Sequence, residues 1–265
     1  MRLALVLVAA FVLLTAAVAA GALRPVDRYA IDHLMPFADD SVAGTIAPSE
    51  PWNAIRPILR GHRSVAQSVG ALAFAPADTI SALLLGAGAT LLIRRRGRPW
   101  RAGAVWIAAV VAGLVVEVSG KLVIPQISYT YASVVFGVKI SGTFPSGHTT
   151  RSVIVAAMVV SMWPRMLPLA LAWVAYVTSV LELGGLHVPS DIAGGFLIGG
   201  ALAAAAIAYG RDAMRAESPL AALQSARRAL AQAPRAADVQ DSPRPAEGGG
   251  RRPGADRGPE QPETG

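Results

Sequence analysis

Of the 265 residues 53% are hydrophobic and only 15% charged, with a mean hydropathy of +0.46, which excludes an ordinary water-soluble domain and describes a polytopic membrane protein. The formal net charge of +7 comes largely from arginines in short loops and the tail, so it fits membrane orientation, and no nucleic-acid-reading motif accompanies it. With no cysteine, disulfides, thiolate catalysis and cysteine-held metals are excluded, and any chemistry rests on His, Asp, Lys and Arg.

The first apolar run, Leu3 to Leu23 behind Arg2, has about the twenty residues that span a hydrocarbon core as a helix. Its Ala17-Val18-Ala19-Ala20-Gly21 end also suits signal-peptide cleavage, but one basic residue and a long apolar stretch favour an uncleaved span. Arg24 to Arg63, broken by Pro25, Pro36, Pro48, Pro51 and Pro57, reads as extramembrane with room for one interfacial helix, and its His33 and His62 as surface residues. A second span covers Gly70 to Ile93 and stops at Arg94-Arg95-Arg96-Gly97-Arg98-Pro99-Trp100-Arg101. That arginine density marks a cytoplasmic loop.

The third span, Ala102 to Ile124, carries Glu117 and Lys121 one helical turn apart, where the two can neutralise one another. A polar, aromatic loop, Pro125 to Phe144, leads to a fourth span at Thr149 to Trp163. The fifth is Met166 to Leu186 and the sixth Ile192 to Tyr209. Arg2, Arg94 to Arg101, Arg165, Arg211 and Arg215 then share one side. This puts both termini in the cytoplasm and Lys121, His148 and His187 on the outer face.

The expected class is thus an all-α membrane bundle of six transmembrane helices. It divides into residues 1–69, a first helix and extracytoplasmic segment; 70–216, a catalytic helical core; and 217–265, a disordered cytoplasmic tail. The tail, rich in Ala, Pro, Gly, Arg and acids, buries too little apolar surface to offset its chain entropy, although Ser218 to Ala233 has the pattern of a short amphipathic helix.

Two clusters carry the chemistry. In Pro145-Ser146-Gly147-His148 a loop feeds into a helix: Ser146 is a natural N-cap, Gly147 lets the backbone approach an anion, and the free N–H groups of the first turn attract phosphate. An ordinary capped helix start with a boundary histidine is the plainer alternative. In His187-Val188-Pro189-Ser190-Asp191, Pro189 suits a first helical turn, so Asp191 can accept from one imidazole nitrogen and leave the other free to attack. A carboxylate-oriented imidazole is a competent nucleophile toward phosphorus, and a second histidine can protonate the departing alkoxide and then activate water. A loop-tethering His-Asp pair is the plainer reading here.

These residues resemble the type 2 phosphatidic acid phosphatase (PAP2) superfamily, whose pattern is a Lys, six residues and Arg-Pro; Pro-Ser-Gly-His; then Ser-Arg, five residues, His, three residues and Asp. Pro145 to His148 match the second motif in full, and His187 and Asp191 match the end of the third. The resemblance implies an integral membrane phosphatase acting on a lipid phosphate or polyprenyl (di)phosphate. His187 would be the nucleophile, Asp191 its orienting partner, His148 the general acid, and Ser146, Gly147 and Lys121 phosphate ligands, with no metal and no cofactor. Both clamp arginines are missing: their positions fall on Ser128 and Leu181. Such arginines neutralise the charge of the transition state, so a substitute is expected. Arg151, three residues after His148 on the same helix face, is the leading candidate and Lys139 a weaker one; the plainer role for Arg151 is a pairing with Glu182 or Asp191. A catalytically degenerate lipid-phosphate binder and a lipid phosphotransferase remain the alternatives. The sequence does not reveal the oligomeric state.

Overall fold

The computed structural model describes residues 1–34, 70, 72–124, 133–135, 138–140, 142–183 and 186–216, all within one compact unit, Met1–Ala222. The tail expectations, Ser128 and most of the segment between Arg24 and Arg63 lie outside the described residues.

The elements in chain order are α1 (Arg2–Ala19), α2 (Arg24–Leu34), a 3-10 turn at Ala75–Ala77, α3 (Thr79–Arg95), α4 (Arg101–Val123), α5 (Gly147–Met162), a second 3-10 turn at Pro164–Met166, α6 (Leu167–Leu183) and α7 (Pro189–Ala216). Among the described residues the fold is helical, as expected, with one short antiparallel ladder: β1 (Ser133–Val135) pairs with β2 (Val138–Ile140) in the loop before α5. Four stretches among the described residues are long and apolar enough to cross a membrane: Arg2–Ala19, Arg101–Val123, Pro164–Leu183 and Pro189–Arg215. The other two apolar helices, α3 and α5, have 17 and 16 residues. At 1.5 Å per residue each is about 25 Å long, a little under a typical hydrocarbon core.

The second apolar run departs from expectation at its start. Pro76 and Asp78 divert Ala75–Ala77 into a 3-10 turn, and α3 begins only at Thr79. The sixth runs longer than expected, because Arg211, Ala213, Met214, Arg215 and Ala216 after Tyr209 are good helix formers and carry α7 to Ala216. Between α3 and α4, Gly97 takes φ +69°, which a residue with a Cβ adopts only under strain.

α7 is the hub, packed against α1, α4 and α5, while α3 pairs with α4 and α6 with α5. Small residues make the approaches close: a Cβ on Gly199 would meet the Thr150 carbonyl at 2.8 Å, and one on Gly103 would overlap Thr90. One buried cluster (Ala89, Trp106, Val110, Ile154, Met158, Ala203) joins α3, α4, α5 and α7. A second (Phe74, Ala77, Val177, Leu181, Ile192) lies under the turn that leads into α3. Leu84, Leu91, Val111, Val115, Leu169 and Leu171 point outward, as residues facing lipid do.

Candidate active site

The two motif clusters meet at one end of the bundle, where α3, α5 and α7 start and α4 finishes. The Ser146 N–H donates to the Asp191 carbonyl at 3.0 Å, which stitches the Pro-Ser-Gly-His strand to the first turn of α7. Phe144–Pro145 is a cis peptide, and the buried Phe144 ring stacks on Phe11 of α1 with centroids 5.8 Å apart. α1 thereby braces the strand from behind.

At the start of α7, Pro189 occupies the first helical position, where its missing N–H costs nothing. Asp191 is fully buried, and its Oδ2 lies 3.2 Å from His187 Nδ1 and accepts the Val188 N–H at 3.4 Å. His187 is itself buried, with its Nδ1 side committed to the carboxylate. Nε2 is then the nitrogen left for chemistry.

The α5 start is built as its sequence implies. Ser146 is the N-cap, its Oγ accepting from the Thr149 N–H at 3.4 Å and from Thr149 Oγ1 at 3.0 Å. Its own hydroxyl hydrogen is left to donate. Gly147 is required by packing: a methyl there would overlap the Glu117 carboxylate, which cannot swing aside because two cations pin it.

Those two cations are Lys121 and Arg151. Lys121 Nζ bonds Glu117 Oε1 at 2.6 Å, as the helical spacing implies, and Arg151 Nη1 bonds Glu117 Oε2 at 2.5 Å. Arg151 also donates through Nε to the Ala77 carbonyl at 2.7 Å. The expected alternative partners, Glu182 and Asp191, are not the ones it takes. α4 and α5 cross at this point, and that crossing brings Glu117 within reach where sequence spacing could not indicate it. Arg151 is therefore a buried bridge with Nη2 making no hydrogen bond among the described residues.

Two further carboxylates that the sequence did not assign to the site contact it. Asp78, at the N-cap position of α3, places Oδ1 3.3 Å from His148 Nε2, and the Phe74 ring lies 5.1 Å from the same imidazole. Asp27, on α2, accepts the Ser190 N–H at 3.1 Å and the Ser190 hydroxyl at 2.7 Å, so a helix near the N-terminus holds the histidine loop. Burial pushes the Asp27 carboxyl above its ordinary value, and the Ser190 bonds oppose the shift. Asp78, just after Pro76 and before an apolar run, carried the local signature of a helix cap; Asp27 carried no signal. Leu181, one of the two positions where the family pattern has arginine, is fully buried in the Phe74 cluster, its carbonyl accepting the N–H groups of Leu186 and His187. Among the described residues no group of three His, Cys, Asp or Glu side chains is gathered to hold a metal.

Residues 122–215 match the PAP2 superfamily. The matched segment is about a third of the chain. It contains His148, Arg151, His187 and Asp191, whereas Lys121, Glu117, Asp78 and Asp27 precede it. The fold is similar to the crystal structure of a transmembrane PAP2-type phosphatidylglycerolphosphate phosphatase from Bacillus subtilis, with a TM-score of 0.51 and 18% identity, over 80% of this chain and 98% of that one. No curated protein matches the chain. The fold likeness and the long apolar helices fit a membrane protein of this fold.

Proposed function

We propose that the chain is an integral membrane phosphatase that hydrolyses a lipid phosphate or polyprenyl (di)phosphate through a phosphohistidine on His187. The observation that carries this reading is the His187–Asp191 pair at 3.2 Å, tied by one backbone hydrogen bond to the Ser146-Gly147-His148 helix start. His187 Nε2 attacks phosphorus while Asp191 stabilises the positive charge that grows on the ring. The free N–H groups at the start of α5, the Ser146 hydroxyl, Lys121 and Arg151 through Nη2 bind the phosphoryl oxygens. His148 gives its proton to the departing alkoxide as the P–O bond breaks. It then takes one from the water that displaces His187 and releases inorganic phosphate.

The substrate class follows from where the site lies. The candidate phosphate-binding groups sit at helix ends, and α5 and α7 are largely apolar beyond their first turns, which suits a ligand with a polar head and an apolar tail. In this reading α3 and α5 join the four longer apolar stretches as spans, and the arginine end of the bundle, Arg94 to Arg101 with Arg165, Arg211 and Arg215, faces the cytoplasm. Both termini are then inside and the histidines outside. Residues 70–216 form the catalytic core, with residues 217–265 as an appended tail.

Two observations favour a second reading, a protein that binds a lipid phosphate without hydrolysing it: Leu181 leaves one clamp position apolar, and Glu117 neutralises part of the remaining positive charge. Phosphate release separates the two. Purified protein is expected to liberate phosphate from at least one member of a panel comprising phosphatidic acid, a phosphatidylglycerolphosphate, a polyprenyl diphosphate and an aryl phosphate. It should also form an acid-labile phosphoenzyme that His187→Ala abolishes. Saturable binding without release would establish the non-catalytic reading, and near wild-type turnover by His187→Ala would overturn the assignment of the nucleophile.

A further inference from the structure

Asp78 stands where an aspartate ordinarily caps its own helix, yet its side chain makes no capping bond to the first turn of α3. Instead the carboxylate, 5% exposed, crosses to a residue 70 positions away and meets His148 Nε2 at 3.3 Å. Forgoing a local cap costs stability, so the direction of this carboxylate needs a compensating partner, and His148 is that partner.

The segment around it is held on several sides. Trp173 Nε1 donates to the Ala73 carbonyl at 2.7 Å, and the Tyr176 hydroxyl to the Gly70 carbonyl at 3.1 Å, both from α6. Arg151 Nε donates to the Ala77 carbonyl, adjacent to Asp78, at 2.7 Å. Within the turn, the Asp78 N–H closes onto the Ala75 carbonyl at 3.0 Å. Phe74 covers the other side of the imidazole. A carboxylate fixed this firmly fixes in turn whatever it binds.

We propose that Asp78 is the positioning residue of the general acid, so that the site contains two His–carboxylate dyads of opposite polarity. His187 is held through Nδ1 and acts through Nε2; His148 is held through Nε2 and acts through Nδ1. This rests on the phosphatase reading. In the first half-reaction the His148 imidazolium keeps its Nε2 proton on Asp78 and passes the Nδ1 proton to the alkoxide oxygen as the P–O bond breaks and the His187–P bond forms. The neutral imidazole that remains is the Nε2–H tautomer. Its Nδ1 lone pair then accepts a proton from water as the water oxygen attacks phosphorus and the P–N bond breaks. Arg151 thereby acquires a role beside its Glu117 pair: it anchors the turn that aims Asp78.

A comparison of leaving groups tests this. Asp78→Asn keeps the volume and one acceptor but loses the charge. It should lower kcat/KM for an alkyl lipid phosphate by about 10- to 100-fold, within the range that acid catalysis contributes, and barely change that for p-nitrophenyl phosphate, whose departing oxygen needs no proton. In a His148→Ala background the same substitution should cost nothing further. Equal losses on both substrates, or additive losses in the double variant, would show a structural role and overturn the proposal. Nitrogen-15 NMR of histidine-labelled protein reads the pairing without relying on turnover or on how the variant folds. The His148 signals, assigned by their disappearance in His148→Ala, should show the Nε2–H tautomer in the neutral ring, and an Nδ1–H tautomer would also overturn it. If the wild-type protein releases phosphate from neither substrate, the phosphatase reading is what fails, while the tautomer still decides the pairing.

Discussion

At the scale of single residues, Glu117 governs the positive charge at the site. It accepts from both Lys121 and Arg151, and all three side chains are nearly withdrawn from solvent, at 5–10% exposure. Removing one partner of a buried ion pair leaves the other charge uncompensated at a cost of about 3–5 kcal/mol. Arg151→Ala should therefore reduce accumulation and thermal stability markedly, and Arg151→Ala with Glu117→Ala should cost less than the two single losses added together, measured by thermal unfolding in detergent. Arg151→Lys retains the charge but cannot reach both Glu117 and the Ala77 carbonyl. It is expected to lower kcat/KM about 10-fold or more while the protein still inserts. Unchanged activity per folded molecule would place Arg151 outside phosphate binding.

At the scale of elements, the site is an assembly of helix ends, and α2 is the part whose removal is most informative. Asp27 supplies a cap to α7 from outside that helix by taking both donors of Ser190. Asp27→Ala should leave the Ser190 N–H without this acceptor at a cost of about 1–2 kcal/mol and loosen the loop that carries His187. Activity should fall more than stability, and the fall should appear in kcat, because a displaced nucleophile loses its attack geometry. A loss confined to stability, with kcat intact, would show that α2 merely covers the loop. Serine and aspartate next to Pro189 already announced a helix start, but nothing near Asp27 announced its partner 163 residues away. Pairings across such distances are set by how α2 lies against α7.

At the scale of the whole molecule, orientation is open to a direct experiment because the chain has no native cysteine to give background. A cysteine placed in the Pro125 to Phe144 loop should be modified in intact cells by a membrane-impermeant maleimide, and one at Gly97 only after permeabilisation. The opposite pattern would put the histidines in the cytoplasm. By itself the sequence determined the helical class, the apolar runs, the arginine-marked turn and the His187–Asp191 pair, because each is local: it depends on composition over about twenty residues or on neighbours within one helical turn. The late start of α3 is marked locally as well, by Pro76 and Asp78 near the outer end of the Gly70 to Ile93 run. Only the tertiary structure decided that Arg151 joins Glu117 and the Ala77 carbonyl, that Asp78 turns from its own helix to His148, and that Asp27 holds Ser190. Those partners lie on different helices, and a buried charge or donor takes whichever complementary group the crossing of two helices brings within about 3 Å.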